Sequence, residues 1–145
     1  MTTHADEVQT RIAKVERMKA LGVNPFAHRF STSHQIGEVV NTLSQTEALR
    51  TVEDVIATPT DTVALAGRVM LHRSFGKICF ATISDGTGKI QVLFSRENCA
   101  INVDGIIKTE LSENGEPLSA YKFVEKLIDL GDFIGVRGEL FYTHK

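Results

Sequence analysis

Cysteine, net charge and long apolar runs are scarce in this sequence, and each scarcity excludes a class of protein. The two cysteines of the 145 residues, Cys79 and Cys99, form neither a CxxC pair nor a disulfide framework, which favours a reducing cytosol. The net charge of −2 excludes a generally basic nucleic-acid coat. No apolar run approaches the roughly 20 residues of a membrane span, and the polar start lacks a signal core. We therefore expect a cytoplasmic protein without membrane contact.

Helical periodicity dominates the beginning of the chain. Apolar residues at helical spacing predict a helix over 6–21, with Asp6 as its N-cap and Gly22 as the residue that ends it. Residues 33–43 repeat the pattern, with Ser33 as the candidate cap. The sequence therefore predicts two helices, and the ambiguous stretch that follows leaves room for a short third helix near 46–56.

The pattern changes at Thr62, after which residues alternate as they do in strands. Gly67 falls where a sharply coiled strand needs a glycine, and Asp85-Gly86-Thr87-Gly88 predicts a hairpin turn. Residues 96–117 are polar and contain glycine, which indicates a long loop. The predicted elements are strands over 62–73, 76–85, 88–95 and 132–142, with a helix over 119–130 that Gly131 closes.

Three consecutive strands, a helix and a further strand follow the order of an OB-fold, a five-stranded Greek-key barrel. The predicted fold class is therefore mainly β with helices. We expect residues 1–60 to form an N-terminal helical extension and 61–145 to form the OB domain. The last strand is missing before Lys145, which indicates a fragment of a larger protein. An open barrel edge predicts lowered stability or a second chain that covers the edge.

The second predicted strand separates an inner from an outer face. Cys79, Ala81 and Ile83 form a small apolar set, and if this set faces the core, Phe80 faces outward. An aromatic ring among polar neighbours on a strand is a candidate platform for nucleobase stacking. A register shifted by one residue would instead place Phe80 in the core.

Polar and basic side chains converge on the same face. By alternation, Arg68, His72 and Gln91 project to the side of Phe80, and Arg73 flanks it. Residues 62–80 hold three basic residues, one histidine and no acid. This pattern favours single-stranded nucleic acid, with bases on rings and phosphates on cations. The alternative is that both arginines are ordinary solvated surface charges.

Other chemical signals are weak. Gly86-Thr87-Gly88-Lys89 lacks the spacing of a phosphate loop and leads into a strand. The histidines and cysteines show no metal-ligand spacing, and nothing marks a nucleophile or a catalytic triad. We therefore expect no catalytic residue, no metal site and no cofactor within this chain.

Three stretches resemble the N-terminal region of class II lysyl-tRNA synthetases. They are RIAKVERMKALGVNPF (11–26), VALAGRVMLHRSFGKICFATISDGTGKIQVLF (63–94) and GDFIGVRGELF (131–141). The second is the most specific, because AGR, RxxGK, FxxxxD and IQ occur in the family's order and spacing. Residues 44–60 and 95–118 are longer than the family's usual connections, and the sequence assigns them no function.

The resemblance implies an OB-fold that binds the anticodon loop of lysine tRNA. Phe80 matches the aromatic residue that stacks on an anticodon uridine, and Gln91 matches the glutamine that reads a base edge. Arg68 and Arg73 match family arginines, whereas His72 stands where the family often has another basic residue. A catalytic domain using ATP and Mg would follow in the parent enzyme, lysine--tRNA ligase, together with dimer contacts from the N-terminal region.

Three alternatives remain open from the sequence. The first is the homologous domain of an aspartyl- or asparaginyl-tRNA synthetase, against which the leading helix and its Asn-Pro turn argue. The second is an OB-fold that binds single strands without base preference. The third is a dimerisation module with no role in RNA recognition.

Overall fold

The structure is a computed structural model that describes residues 4–26, 30–47, 62–103 and 105–140. Within these ranges the chain forms three helices and eight strands. In chain order they are α1 (His4–Ala20), α2 (Ile36–Glu47), β1 (Val63–Phe75), β2 (Ile78–Ser84), β3 (Lys89–Ser95), β4 (Ile101–Val103), β5 (Ile106–Lys108), β6 (Glu110–Glu113), β7 (Glu116–Ser119), α3 (Ala120–Leu127) and β8 (Phe133–Gly138).

The main sheet has four strands in the order β3-β2-β1-β8. Strands β1 and β8 are antiparallel, with Val63 opposite Gly138 and Arg68 opposite Phe133. The predicted strands over 62–73, 76–85 and 88–95 are confirmed to within two residues at each end. A meander of three strands joined to a later fourth strand gives the OB-fold. The predicted fold class is therefore confirmed.

Two compact units make up the chain. The first unit comprises Met1–His28, Ser74–Cys79 and Leu93–Ile128, and the second unit comprises Arg29–Arg73, Phe80–Val92 and Asp129–Lys145. The first unit buries two small apolar clusters, which cover the apolar face of α3 and contact Met18 near the end of α1. Their buried members are Leu21, Leu111, Phe123 and Leu127 in one cluster and Cys79, Tyr121 and Val124 in the other.

Helix α1 confirms the prediction over 6–21 and ends as the sequence indicates. Gly22 adopts a φ of 84°, and the N–H of Val23 donates to the carbonyl of Met18 at 2.9 Å. This pairing satisfies a carbonyl left over at the helix end. The predicted N-cap, Asp6, is wrong, because the helix already begins at His4 and Asp6 lies in its first turn.

Two short hairpins replace the predicted loop over 96–117, which is therefore wrong. Strand β4 pairs with β5, and β6 pairs with β7, both antiparallel. Asn114 and Gly115 join β6 to β7 with φ angles of 52° and 82°. Two consecutive positive φ angles match the twist of a two-residue hairpin turn, and Asn-Gly is its preferred sequence.

Helix α3 begins one residue later and ends three residues earlier than the sequence pattern suggests. The Ser119 hydroxyl accepts a bond from the N–H of Lys122 at 3.1 Å, which caps the first turn. The helix ends at Leu127 because Ile128 is extended. The predicted end at residue 130 is therefore wrong, and Gly131, with a φ of 91°, lies in the turn before β8.

Helix α2 is capped from a distant part of the chain. It begins at Ile36, whose N–H donates to Oδ2 of Asp85 at 2.9 Å. The predicted cap, Ser33, is wrong, because its hydroxyl instead accepts from the N–H of Ala64 at 2.8 Å. The predicted short helix near 46–56 lies outside the described residues except for its first two positions, which belong to α2.

Candidate nucleic-acid interface

Strand β2 presents two different faces, as its alternation predicts. The side chains of Cys79, Ala81 and Ile83 are at most 1% exposed. Phe80 lies on the alternate set and is half-buried. The register that points Phe80 away from the core is therefore confirmed, and the alternative of a core Phe80 is excluded.

All five predicted site residues lie in the second unit. Arg68 and Arg73 are exposed on β1, and His72 on the same strand is half-buried. Gln91 is exposed on β3. Arg68 and His72 are an even number of residues apart and share one face of β1, whereas Arg73 has the opposite parity.

A close approach of two strands shapes the centre of this face. A Cβ placed on Gly67 would lie 2.8 Å from the carbonyl oxygen of Ser84 and 3.1 Å from its nitrogen. Backbone atoms of a paired strand cannot move aside cheaply, so this position requires glycine. The predicted role of Gly67 in a tightly coiled strand is confirmed.

Phe133 is a candidate site residue that the sequence reasoning missed. It lies at the start of β8, directly opposite Arg68 in the β1–β8 register. The guanidinium carbon of Arg68 lies 4.7 Å from the centroid of the Phe133 ring, which is within range of a cation–π contact. The ring remains 73% exposed. The only sequence signal was an aromatic residue at the start of a predicted strand.

An open cleft adjoins this pair. It has a volume of about 450 Å³, and its lining includes Arg68, Phe133, Met70 and Ser84. Asp85 at the end of β2 also lines it. The walls therefore combine an aromatic ring, apolar atoms and one cation with a carboxylate at the rim.

Asp85 organises the turn that borders the cleft. Its Oδ1 accepts bonds from the hydroxyl of Thr87 at 2.6 Å and from the Thr87 N–H at 2.9 Å. Its Oδ2 accepts from Ile36. The pKa of Asp85 is lowered from 3.8 to about 2, mainly by the hydrogen bond from the Thr87 hydroxyl. Desolvation acts in the opposite direction, and backbone N–H donors lower the pKa further. The carboxylate is therefore anionic at neutral pH and holds the β2–β3 turn against the start of α2.

The two thiols are unsuited to nucleophilic chemistry. Desolvation raises the pKa of Cys79, with a smaller contribution from Glu125. Burial, and then the neighbouring Cys79, raises the pKa of Cys99 to about 11. Because the thiolate is the reactive form, both groups are neutral and unreactive at physiological pH.

Among the described residues, no cluster of three or more histidine, cysteine, aspartate or glutamate side chains could hold a metal ion. No helix in the described ranges has the length and apolar character needed to cross a membrane.

Comparison with known proteins identifies a family that matches the part of the chain from β1 onward. The tRNA anti-codon family model, an OB-fold nucleic acid binding domain, matches residues 63–145. The lysine--tRNA ligase of Chlamydia felis is 37% identical over 92% of this chain and 24% of its own length. That of Chlamydia caviae is 36% identical over 98% of this chain and 25% of its own length. That of Carboxydothermus hydrogenoformans is 34% identical over 95% of this chain and 22% of its own length.

The chain spans about a quarter of the length of the curated relatives that it matches. The family model begins at the first residue of β1 and includes Arg68, Phe80, Gln91 and Phe133. The strand order is that of an OB-fold, and the family match covers all four strands of the main sheet. Phe80 lies on the outward face of one of these strands. The chain therefore belongs to the family of anticodon-type OB-fold nucleic acid binding domains.

Proposed function

We propose that this chain recognises the anticodon loop of tRNA(Lys) as the N-terminal region of a lysine--tRNA ligase. The observation that carries the proposal is the outer face of the sheet in the second unit. There, Phe80 points away from the core, while Arg68 and Gln91 are exposed on the neighbouring strands β1 and β3. Similarity to lysine--tRNA ligases over nearly the whole chain supports lysine over other tRNA identities.

The proposed roles follow from side-chain chemistry. Phe80 stacks on an anticodon uridine, because a half-buried ring offers a face held in place by its strand. Gln91 offers one acceptor and two donors to a base edge. Arg68 and Arg73 meet phosphates, and His72 adds a further side chain that can form hydrogen bonds with RNA. The sheet holds the backbone of these residues in place, which lowers the entropy cost of ordering their side chains when RNA binds.

Aminoacylation is proposed for the complete ligase and not for this chain. Charging with lysine, with ATP and Mg, belongs to the remaining three quarters of the relatives' length. The described part of this chain offers no cluster of metal-ligating side chains that fits Mg. We further propose a cytoplasmic homodimer, with residues 1–60 as a helical extension of the OB domain at 61–145.

The first experiment titrates this chain with a fluorescently labelled RNA stem-loop that carries a lysine anticodon. The same loop with an aspartate anticodon is the comparison, and both titrations are repeated over a range of salt concentrations. We expect tighter binding of the lysine loop. Equal affinities with strong salt dependence would instead favour a single-strand binder without base preference. Dimerisation without any RNA binding would favour the dimerisation module.

Phe80→Ala tests the proposed platform. Loss of one stacked base should weaken binding of the lysine loop by about 5- to 150-fold. Phe26→Ala is the matched control, because Phe26 is 66% exposed and lies in the first unit. Its affinity should equal that of the unmodified chain. Unchanged affinity of the Phe80→Ala variant would contradict the assignment of Phe80.

A further inference from the structure

The ring of Phe133 is open to solvent at the start of the edge strand β8. It is 73% exposed, although its backbone pairs with Arg68 in the middle of a 13-residue strand. Burial of apolar area is the main favourable term in folding, so an exposed phenylalanine contributes little to stability. A ring that is fixed in position and left open to solvent is suited to a ligand with a flat apolar face.

The Arg68 guanidinium fixes that ring from one side. At 4.7 Å from the ring centroid, the guanidinium occupies the position of a cation–π partner. Arginine stacks on rings while its N–H groups stay available in the plane of the guanidinium. The pair therefore combines a stacking surface with donors that suit a phosphate or a base edge.

The adjoining cleft has the size and chemistry for one nucleotide. Its volume of about 450 Å³ falls in the range of about 300–1,000 Å³ typical of small-ligand sites. Met70 and Ala66 supply apolar wall, and the anionic Asp85 is among the lining residues. Its carboxylate already accepts bonds from Thr87 and Ile36, and its charge repels phosphate, which favours the base inside the cleft and the phosphate near Arg68.

The position along β2 relates this cleft to Phe80. Ser84 lines the cleft and shares the outward face of β2 with Phe80. Ser84 lies four positions after Phe80 on β2, which corresponds to about 13 Å along the strand. A single strand that stacks on Phe80 can therefore continue along this face to the cleft that Ser84 and Phe133 both line.

We propose that Phe133, held by Arg68, is a second nucleobase platform that stacks a loop nucleotide other than the one on Phe80. This inference rests on the proposed function, since it requires a single-stranded RNA loop on this face. It goes further by assigning a second base to a separate cleft. The residues that position it belong to β1 and β8, whereas Phe80 belongs to β2.

The chain has no tryptophan, so Phe133→Trp introduces a single fluorescent indole. The probe is the unlabelled stem-loop with the lysine anticodon. We expect saturable quenching of the indole, because a stacked base quenches it, at the same RNA concentrations that titrate the labelled loop. Phe26→Trp is the matched control and should show no saturable quenching. Binding of the loop without quenching of the indole in the Phe133→Trp variant would overturn the proposal.

Affinity measurements separate stacking from structural support. Phe133→Ala and Phe133→Leu should each weaken binding of the lysine loop by about 5- to 150-fold, while Phe133→Tyr should retain the affinity. A merely structural role would let Leu restore binding, since Leu retains apolar volume without a ring. Circular dichroism melts should coincide for all three variants, because the ring is mostly exposed.

The outcomes distinguish this inference from the function on which it rests. Normal affinity of Phe133→Ala beside weakened affinity of Phe80→Ala would overturn the second platform and leave anticodon recognition intact. No binding of either stem-loop by the unmodified chain would overturn both. Weakened binding by both variants, with quenching confined to the indole at position 133, supports both.

Discussion

Removal of the Asp85 carboxylate should release helix α2 from the β2–β3 turn. Asp85 accepts three hydrogen bonds, two from Thr87 and one from the first N–H of α2. The link is extended by the Gly37 N–H, which donates to the Thr87 hydroxyl at 2.9 Å. Asp85→Ala removes all three bonds at once and leaves the start of α2 without its acceptor.

The expected loss in the free energy of unfolding is about 1–2 kcal/mol. A pKa lowered from 3.8 to about 2 sets an upper limit of about 2.5 kcal/mol for the charge-dependent part. Asp85 is exposed, so solvent screening reduces that value. Removal of a helix cap costs about 0.5–2 kcal/mol in other proteins, which agrees. For a chain of this length the melting temperature should fall by about 2–8 °C.

The effect should depend on pH with a definite sign. The pKa of Asp85 is lower in the folded protein than its ordinary 3.8, so its contribution is complete well above pH 4. It is lost as the pH falls from about 4 towards about 2, where the folded protein also binds the proton. The difference between the unmodified chain and Asp85→Ala should therefore be full at about pH 6 and clearly smaller at about pH 3.

Urea denaturation followed by circular dichroism measures this difference. The free energy of unfolding of Asp85→Asn should fall between those of the unmodified chain and Asp85→Ala, because the amide keeps one acceptor oxygen and loses the other. Glu97→Ala is the matched control, since Glu97 is an exposed acid in the turn after β3. Equal stability of Asp85→Ala and the unmodified chain at about pH 6, or a difference independent of pH, would refute the reasoning.

Two further substitutions test packing within each unit. Gly67→Ala should lower the free energy of unfolding by about 1–3 kcal/mol, because its Cβ would lie 2.8 Å from the Ser84 carbonyl oxygen. Gly138→Ala is its control, since no atom lies within 4 Å of the added Cβ, and equal effects of both would contradict the steric argument. Tyr121→Phe should cost about 0.5–1.5 kcal/mol in urea denaturation, because the buried hydroxyl donates to the Gly76 carbonyl at 3.0 Å. An unchanged midpoint would show that this bond adds nothing to stability.

Local patterns allowed much of the fold to be predicted. The strands β1 to β3 could be predicted because their residues alternate. Helix α1 could be predicted because its apolar residues recur at helical spacing and Gly22 follows them. The outward direction of Phe80 followed from the small buried set beside it on β2. These features depend on neighbours within a few residues.

The short hairpins and the helix caps were predicted poorly for different reasons. Strands of three or four residues are too short for alternation to be distinguished from a polar loop, although Asn114-Gly115 was a usable turn signal. The cap of α2 was not readable, because the acceptor Asp85 is 49 residues from Ile36. A nearby Ser33 was the natural expectation, but the sheet places its hydroxyl on Ala64 instead.

The sequence by itself determined which side chains leave which face of each strand, because side-chain direction follows from the alternating pleat. That was enough to nominate Phe80, Arg68 and Gln91 as candidate site residues. Only the tertiary structure decided which of these faces carries a second ring. Phe133 meets Arg68 through the register of β1 with β8, and register between distant strands is fixed by packing across the whole sheet and not by the residues that it brings together.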